Sequence, residues 1–248
     1  MGKRQGVRGV WALALGAATF LAAPGAGASV IWDGDASRGL GIFKNIGSDG
    51  NCGAPSSIVA VNDATHGRVW RYTKPSASNR CENHGIKVGG QPFVFQNGQT
   101  YFLGWWARIS STNNNNANFQ WKSFGDGHQQ NFPVVLKITN NGEMTLMQRQ
   151  PGGVETFLWR RRISANQWNH YALSLKLSNQ TRGGFIEFWF NGVKQTFTTG
   201  GTRFACRTFD TGNHNCPKWG YYGGRGRNES NHVDGLRVGT TFEDVRPR

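Results

Sequence analysis

Thr100-Tyr-Phe-Leu-Gly-Trp-Trp-Ala-Arg-Ile109 alternates Tyr101, Leu103, Trp105, Ala107 and Ile109 against Phe102, Gly104, Trp106 and Arg108. A period of two is that of a β-strand, whose successive side chains leave on opposite faces. The same pattern recurs outward from this stretch. His170 to Ser178 sets Tyr171, Leu173, Leu175 and Leu177 against His170, Ser174 and Lys176, which predicts a strand with one face in the core and the other wet. Phe185 to Phe190 runs into Asn191-Gly192 and returns through Val193 to Thr198, a hairpin signal because both turn residues must adopt positive φ. Glycine and asparagine punctuate short aromatic and β-branched runs elsewhere, and no stretch keeps a helical period for three turns. The expected fold is all-β, an antiparallel two-sheet sandwich or jelly roll.

Residues 1–28 stand apart from that pattern. Lys3, Arg4 and Arg8 precede an apolar run from Val10 to Ala23, and Ala26-Gly27-Ala28 offers a small-residue cleavage site, so the segment reads as a secretory signal. The run falls short of the ~20 residues that span a bilayer. Residues 29–248 hold no linker and no internal repeat, and are expected to form one domain, exported, monomeric and without a membrane anchor.

The net charge of +14 falls to +11 once Lys3, Arg4 and Arg8 are set aside. Such an excess favours a polyanionic partner. It does not choose between acidic polysaccharide, nucleic acid and anionic membrane, although no nucleic-acid motif is present. Cys52, Cys81, Cys206 and Cys216 make an even count in an exported chain, which favours disulfides. Of the three pairings, Cys52 with Cys81 and Cys206 with Cys216 is the one expected, and neither pair has metal-ligand spacing.

Three stretches carry polar side chains on otherwise apolar strands. In Cys216-Pro-Lys-Trp-Gly-Tyr-Tyr-Gly-Gly224, Lys218 and Tyr222 share a face with Gly220 between them, leaving room for a flat anion, while Trp219 and Tyr221 point the other way. In Asn118-Phe-Gln-Trp-Lys-Ser-Phe124, Asn118, Gln120, Lys122 and Phe124 oppose Phe119, Trp121 and Ser123. In Asn79-Arg-Cys-Glu-Asn-His-Gly85, Arg80, Glu82 and His84 share a face, so Glu82 can orient the guanidinium of Arg80. A buried Arg-Glu pair with a satisfied histidine would account for the last stretch equally well.

Missing residues narrow the chemistry. There is no Gly-x-Ser-x-Gly elbow, no His-Glu-x-x-His and no phosphate loop. No glutamate begins the Glu-x-Asp-x-x-Glu pattern of paired carboxylates on one strand, which disfavours glycosidic hydrolysis. The residues present suit β-elimination from a 4-linked uronate, which needs its carboxylate charge offset, a base at C5 and an acid at the leaving oxygen. Gln120 and Arg80 suit the first task, and Tyr222 and His84 the others, with Lys218 placing positive charge near a tyrosinate. A non-catalytic module binding the same acidic polymer would use similar residues.

Lys218-Trp-Gly-Tyr-Tyr222 resembles the Lys-x-Gly-x-Tyr signature of jelly-roll polysaccharide lyases. Arg80-Cys-Glu82 and Gln120-Trp-Lys122 resemble their Arg-x-Glu strand and carboxylate-neutralising glutamine. In order and spacing the chain is most similar to the glucuronan lyases of family 20 and the heparin-lyase-I group. The resemblance implies a concanavalin-like jelly roll, a polyuronate substrate, no required cofactor, Gln120 as the carboxylate neutraliser and Tyr222 as the principal base. His84 falls where glucuronan lyases carry their histidine. In the alginate-lyase pattern a histidine follows two residues after the glutamine; Lys122 stands there instead, which weakens alginate as substrate and makes His84, with His128 as substitute, the histidine of interest.

Tyr101, Trp105 and Trp106 could stack sugars, but aromatics on a long central strand more often belong to the core. Arg160, Arg161 and Arg162 alternate about a strand end and read as a solvated rim. Asp33, Asp35 and Asp244 could hold a structural calcium, though nothing in their spacing fixes a geometry.

Overall fold

A computed structural model describes Met1, Gly2 and residues 29–46, 52–113, 115–210, 214–224 and 226–248. The expected signal segment lies outside the described residues apart from Met1 and Gly2.

Two antiparallel sheets form the body. The strand Thr100–Ile109 sits centrally in a nine-stranded sheet, between Asn169–Lys176 and Glu229–Gly239. Its register sets Leu103 opposite Leu173 and Trp105 opposite Tyr171, and all four are buried. The second sheet has six strands in the order Glu155–Arg162, Glu143–Arg149, Val134–Ile138, Asn116–Phe124, His214–Gly223, Arg80–Glu82. A small third sheet pairs Phe43–Asn45 with His84–Val88 and Gln91–Pro92.

The core lies where the two large sheets face one another. Trp105 stacks on Phe119 at 4.7 Å and meets Trp219 edge-on at 6.2 Å, joining one strand of the first sheet to two of the second. Burying each such ring is worth about 1.5–3 kcal/mol, which fixes the inward face of every strand that contributes one. Asn191-Gly192 forms the expected hairpin, with both residues at positive φ and Phe190 paired with Val193.

Several expectations are corrected. The face of Asn169–Lys176 bearing His170 and Ser174 is not wet, since both residues are buried. The terminal helix Phe242–Val245 covers it, packing Val245 with Ala172 and Trp189 over that outer surface. Tyr101 and Trp105 belong to the core. Trp106 faces the opposite surface, edge-on to His66 and His170.

Cys52 and Cys81 are joined, but Cys206 and Cys216 are separate buried thiols. Cys206 lies opposite Gly184 in the nine-stranded sheet, whereas Cys216 lies opposite Lys122 in the other, so their nearness in sequence does not bring them together. The aspartates named for calcium are used in turns and caps. Asp33 accepts from the Asp35 amide, while Asp244 accepts from the amides of Ser29, Thr240 and Thr241 and caps the terminal helix. Among the described residues no three His, Cys, Asp or Glu side chains converge as a metal site would require.

Candidate active site

The six-stranded sheet turns one face to the core and the other to solvent, and the three polar stretches lie side by side on it. Lys218 is opposite Gln120, and Tyr222 is opposite both Ala117 and Arg80. The register shifts between Trp219 and Tyr222, where Gly220 and Tyr221 stand against the single residue Asn118; on the other side Asn118 is itself the extra residue, since Leu136 pairs with Phe119 and Lys137 with Ala117. Because both strands bulge at the same level, Gln120 and Tyr222 still line one cavity, of about 200 Å³, together with Ala117, Val135 and Lys137. Asn118, expected to point outward with Gln120, is buried and donates to Asn116.

Gly220 makes the bulge possible. Its φ is +135°, and a Cβ there would lie 2.1 Å from the Cys81 carbonyl oxygen. The open space expected above Gly220 is therefore filled by the neighbouring strand Arg80–Glu82. Asn83 clamps that strand in place, its side-chain oxygen accepting from the Tyr72 hydroxyl at 2.9 Å and from the Trp219 amide at 3.2 Å.

Glu82 is the hub of the site. Its carboxylate, 1% exposed, accepts from Gln120 Nε2 at 2.6 Å and from Lys218 Nζ at 2.8 Å, and lies 3.4 Å from Arg80 Nε. Three polar side chains from three strands are thus held by one anion. The cation over the Tyr222 ring is Arg80, at 4.0 Å, rather than Lys218, whose ammonium is committed to Glu82.

Beyond Glu82 the surface is cationic. Lys122 Nζ reaches the Asn131 side chain and sits 5.0 Å over the Phe124 ring. Burial, with Lys218 and Arg80 nearby, lowers its pKa to about 8. Burial also pushes the Lys218 ammonium down, against the pull of Glu82.

His84 stacks on Phe124 at 3.8 Å with the ring of His214 nearly parallel, and Lys44 Nζ lies 3.1 Å from His214 Nε2. Burial first, then Lys44, Lys218, His214 and Lys122, hold the His84 pKa down at about 3, so this imidazole is neutral at ordinary pH. Both of its ring nitrogens are buried without a hydrogen-bond partner among the described residues. An orphaned pair of this kind costs stability unless something uses it.

His128 is not part of this arrangement. It is exposed, and its ring faces the carbonyl of Gly125 in its own loop. Sequence reasoning missed Lys44, His214 and Lys137. Lys137 had a signal, as the single cation in the apolar run Val134–Ile138.

The outer face of the six-stranded sheet therefore carries a phenol and an amide in one cavity, with an excess of positive charge around them and a neutral imidazole among the neighbouring cations. It can bind an anionic polymer, offset a carboxylate and move a proton. Structures with this fold include the endo-β-1,4-glucuronan lyase of the fungus Trichoderma reesei, with 16% identity, TM-score 0.61, and 88% of this chain and 98% of that one covered. An alginate lyase from Aplysia kurodai aligns at 11% identity and TM-score 0.54 over 86% of this chain and 100% of that one. An alginate lyase from a Chlorella virus aligns at 12% identity and TM-score 0.55, again over 86% and 100%. At these identities the likeness concerns the fold. No curated protein sequence matches the chain. The family model described as "Polysaccharide lyase" matches residues 59–237, which takes in all three polar stretches and every member of the Glu82 cluster. This chain belongs to the polysaccharide lyase family.

Proposed function

We propose that this lyase is exported and cleaves a 4-linked polyuronate, β-1,4-glucuronan in first place. The observation that supports this most directly is the Glu82 cluster, which joins Gln120, Lys218 and Arg80 on the outer side of the sheet, with Arg80 over the Tyr222 ring. The excess of basic residues and the Cys52–Cys81 bond fit an exported protein acting on an acidic polymer.

In this reading the uronate carboxylate lies over Gln120, whose second amide hydrogen is not used by Glu82. Offsetting that charge makes the C5 proton acidic and the enolate-like intermediate tolerable. The Tyr222 phenolate takes the C5 proton; the C5 electron pair forms the C4–C5 double bond, the C4–O4 bond breaks, and the phenol so formed gives that proton to O4, which restores the phenolate. In a glucuronate residue the C5 hydrogen and the C4 oxygen leave from the same side of the ring, so one group can serve both transfers. Arg80 over the Tyr222 ring places positive charge beside the phenolate. His84, neutral and with both ring nitrogens buried, does not carry the transferred proton. Lys122 supplies attraction for the polymer, Lys218 holds Glu82 in place, and His128 stays outside the reacting group.

The test is incubation with glucuronan, alginate and heparin while following the ultraviolet absorbance of the new C4–C5 double bond. Fastest growth on glucuronan supports the reading. Growth on alginate or heparin alone overturns the substrate assignment, and no growth on any of the three overturns the polyuronate reading.

A further inference from the structure

A row of cross-strand partners leads away from Tyr222. Tyr222 pairs with Ala117, Ala117 with Lys137, Lys137 with Thr145 and Thr145 with Arg160, so five strands contribute one position each. At about 4.8 Å per strand the row runs about 19 Å from the phenol to the edge of the sheet. Its floor residues, Ala117 and Thr145, are small and buried, and its raised members are cationic. Lys137 shares the cavity of Gln120 and Tyr222, and its ammonium lies 5.5 Å over the Phe157 ring.

The row ends in a separate groove of about 710 Å³ at the sandwich edge, where Arg160 and Arg161 face Asn191, Lys194 and Gln195 of the opposite sheet's hairpin region. Lys194 is neutralised by Glu187 at 2.9 Å. Arg160 and Arg161 have no carboxylate within ion-pairing distance among the described residues, and Arg161 is spread over the Phe190 ring at 5.1 Å. Unpaired guanidinium groups beside amides and an aromatic ring match the needs of a carboxylated sugar.

We propose that this groove is a distal subsite for an acidic sugar of the same polymer chain, reached along the Tyr222-to-Arg160 row, with Arg160 on the face of the row binding the sugar carboxylate and Arg161, which leaves the strand on its other face, lining the groove beside Phe190. The proposal rests on the polyuronate reading of the site. Lys137 and Arg160 lie two strands apart, about 10 Å. An extended 1,4-linked polyuronate turns successive residues over, and so presents a carboxylate to one surface at every second sugar, which suits cations on alternate strands. The arrangement makes the enzyme favour long chains, because a short oligomer bound across Tyr222 does not extend to the edge.

The experiment compares the wild type with the double variant Arg160→Gln/Arg161→Gln on the polymer and on a trisaccharide of the same uronate. Both arginines are exposed, and a thermal melt checks that the fold is kept. The expected result is a KM for the polymer raised about tenfold, with kcat and the trisaccharide kcat/KM unchanged. An unchanged polymer KM, or an equal loss on both substrates, overturns the subsite. If the wild type opens no double bond in any uronate, the substrate assignment fails separately. Retention in a polyuronate gel then decides: weaker retention of the double variant supports the subsite, and equal retention overturns it.

Discussion

Replacing Glu82 by glutamine keeps the shape of the hub and removes its charge. At 2.8 Å and an effective dielectric constant of ~20, the Lys218–Glu82 attraction is about 6 kcal/mol. That is comparable with the several kcal/mol each ion loses on leaving water, so the intact pair is close to break-even. With Glu82 neutral, the fully buried Lys218 keeps its desolvation penalty and still feels Arg80, and the expected loss is about 3–5 kcal/mol. For a domain of this size the melting temperature falls by roughly 10 °C.

The pH dependence has a definite sign. Lys218 already has a lowered pKa in the folded state, and losing Glu82 lowers it further. Between that value and the unfolded one the unfolded chain binds more protons, so stability rises with pH. The deficit of Glu82→Gln therefore shrinks as pH rises through the folded-state pKa of Lys218. Adding Lys218→Met removes the stranded charge and should recover most of the loss. Urea unfolding of both variants at neutral and alkaline pH is the assay. A single variant melting within about 2 °C of wild type, or a double variant worse than the single, would refute Glu82 as the counter-charge of the cluster.

Tyr222→Phe should cut turnover by about 10²- to 10⁴-fold while retention in a polyuronate gel survives; an active variant would remove Tyr222 from the chemistry. Lys122, with its pKa near 8, should lose its charge as pH rises through that value, raising the KM for an anionic polymer, and Lys122→Met should flatten the KM profile there. His84 is held neutral down to about pH 3, so between that value and its unfolded pKa the unfolded chain binds the extra proton, and the native state loses stability on acidification. His84→Gln should accordingly move the acid-unfolding midpoint to lower pH, as followed by circular dichroism. Thiol titration should find two free cysteines after denaturation and none in the native protein, since burial shields Cys206 and raises the Cys216 thiol to about 12; no thiols after denaturation would restore the pairing expected from sequence.

Much of the candidate site was legible one strand at a time. Lys218 and Tyr222 on one face, Gln120 on its neighbour, and Arg80 with Glu82 on a third strand all followed from alternation and residue type. Which of these groups touch did not follow. Alternation assigns Lys218 to the vicinity of Tyr222, but the pairing of Gly220 with Glu82 brings the lysine to Glu82 and leaves Arg80 over the phenol. Asn118 was misplaced because a bulge breaks the period of two, and a bulge is stabilised by contacts outside its own strand, here the close approach at Gly220 and the Asn231 amide on the Gly220 carbonyl. His170 was read as wet because the helix that covers it lies some 70 residues later in the chain.

By itself the sequence determined the strands, their inward faces, the Asn-Gly hairpin and the kinds of chemistry available, since these depend on backbone geometry and side-chain type within a few residues. Only the tertiary structure decided that Glu82 binds three partners, that Cys206 and Cys216 sit in different sheets, and that a basic row joins Tyr222 to Arg160. Those contacts link residues far apart in the chain, and their positions are set by strand order, register and layer packing, none of which a local period encodes.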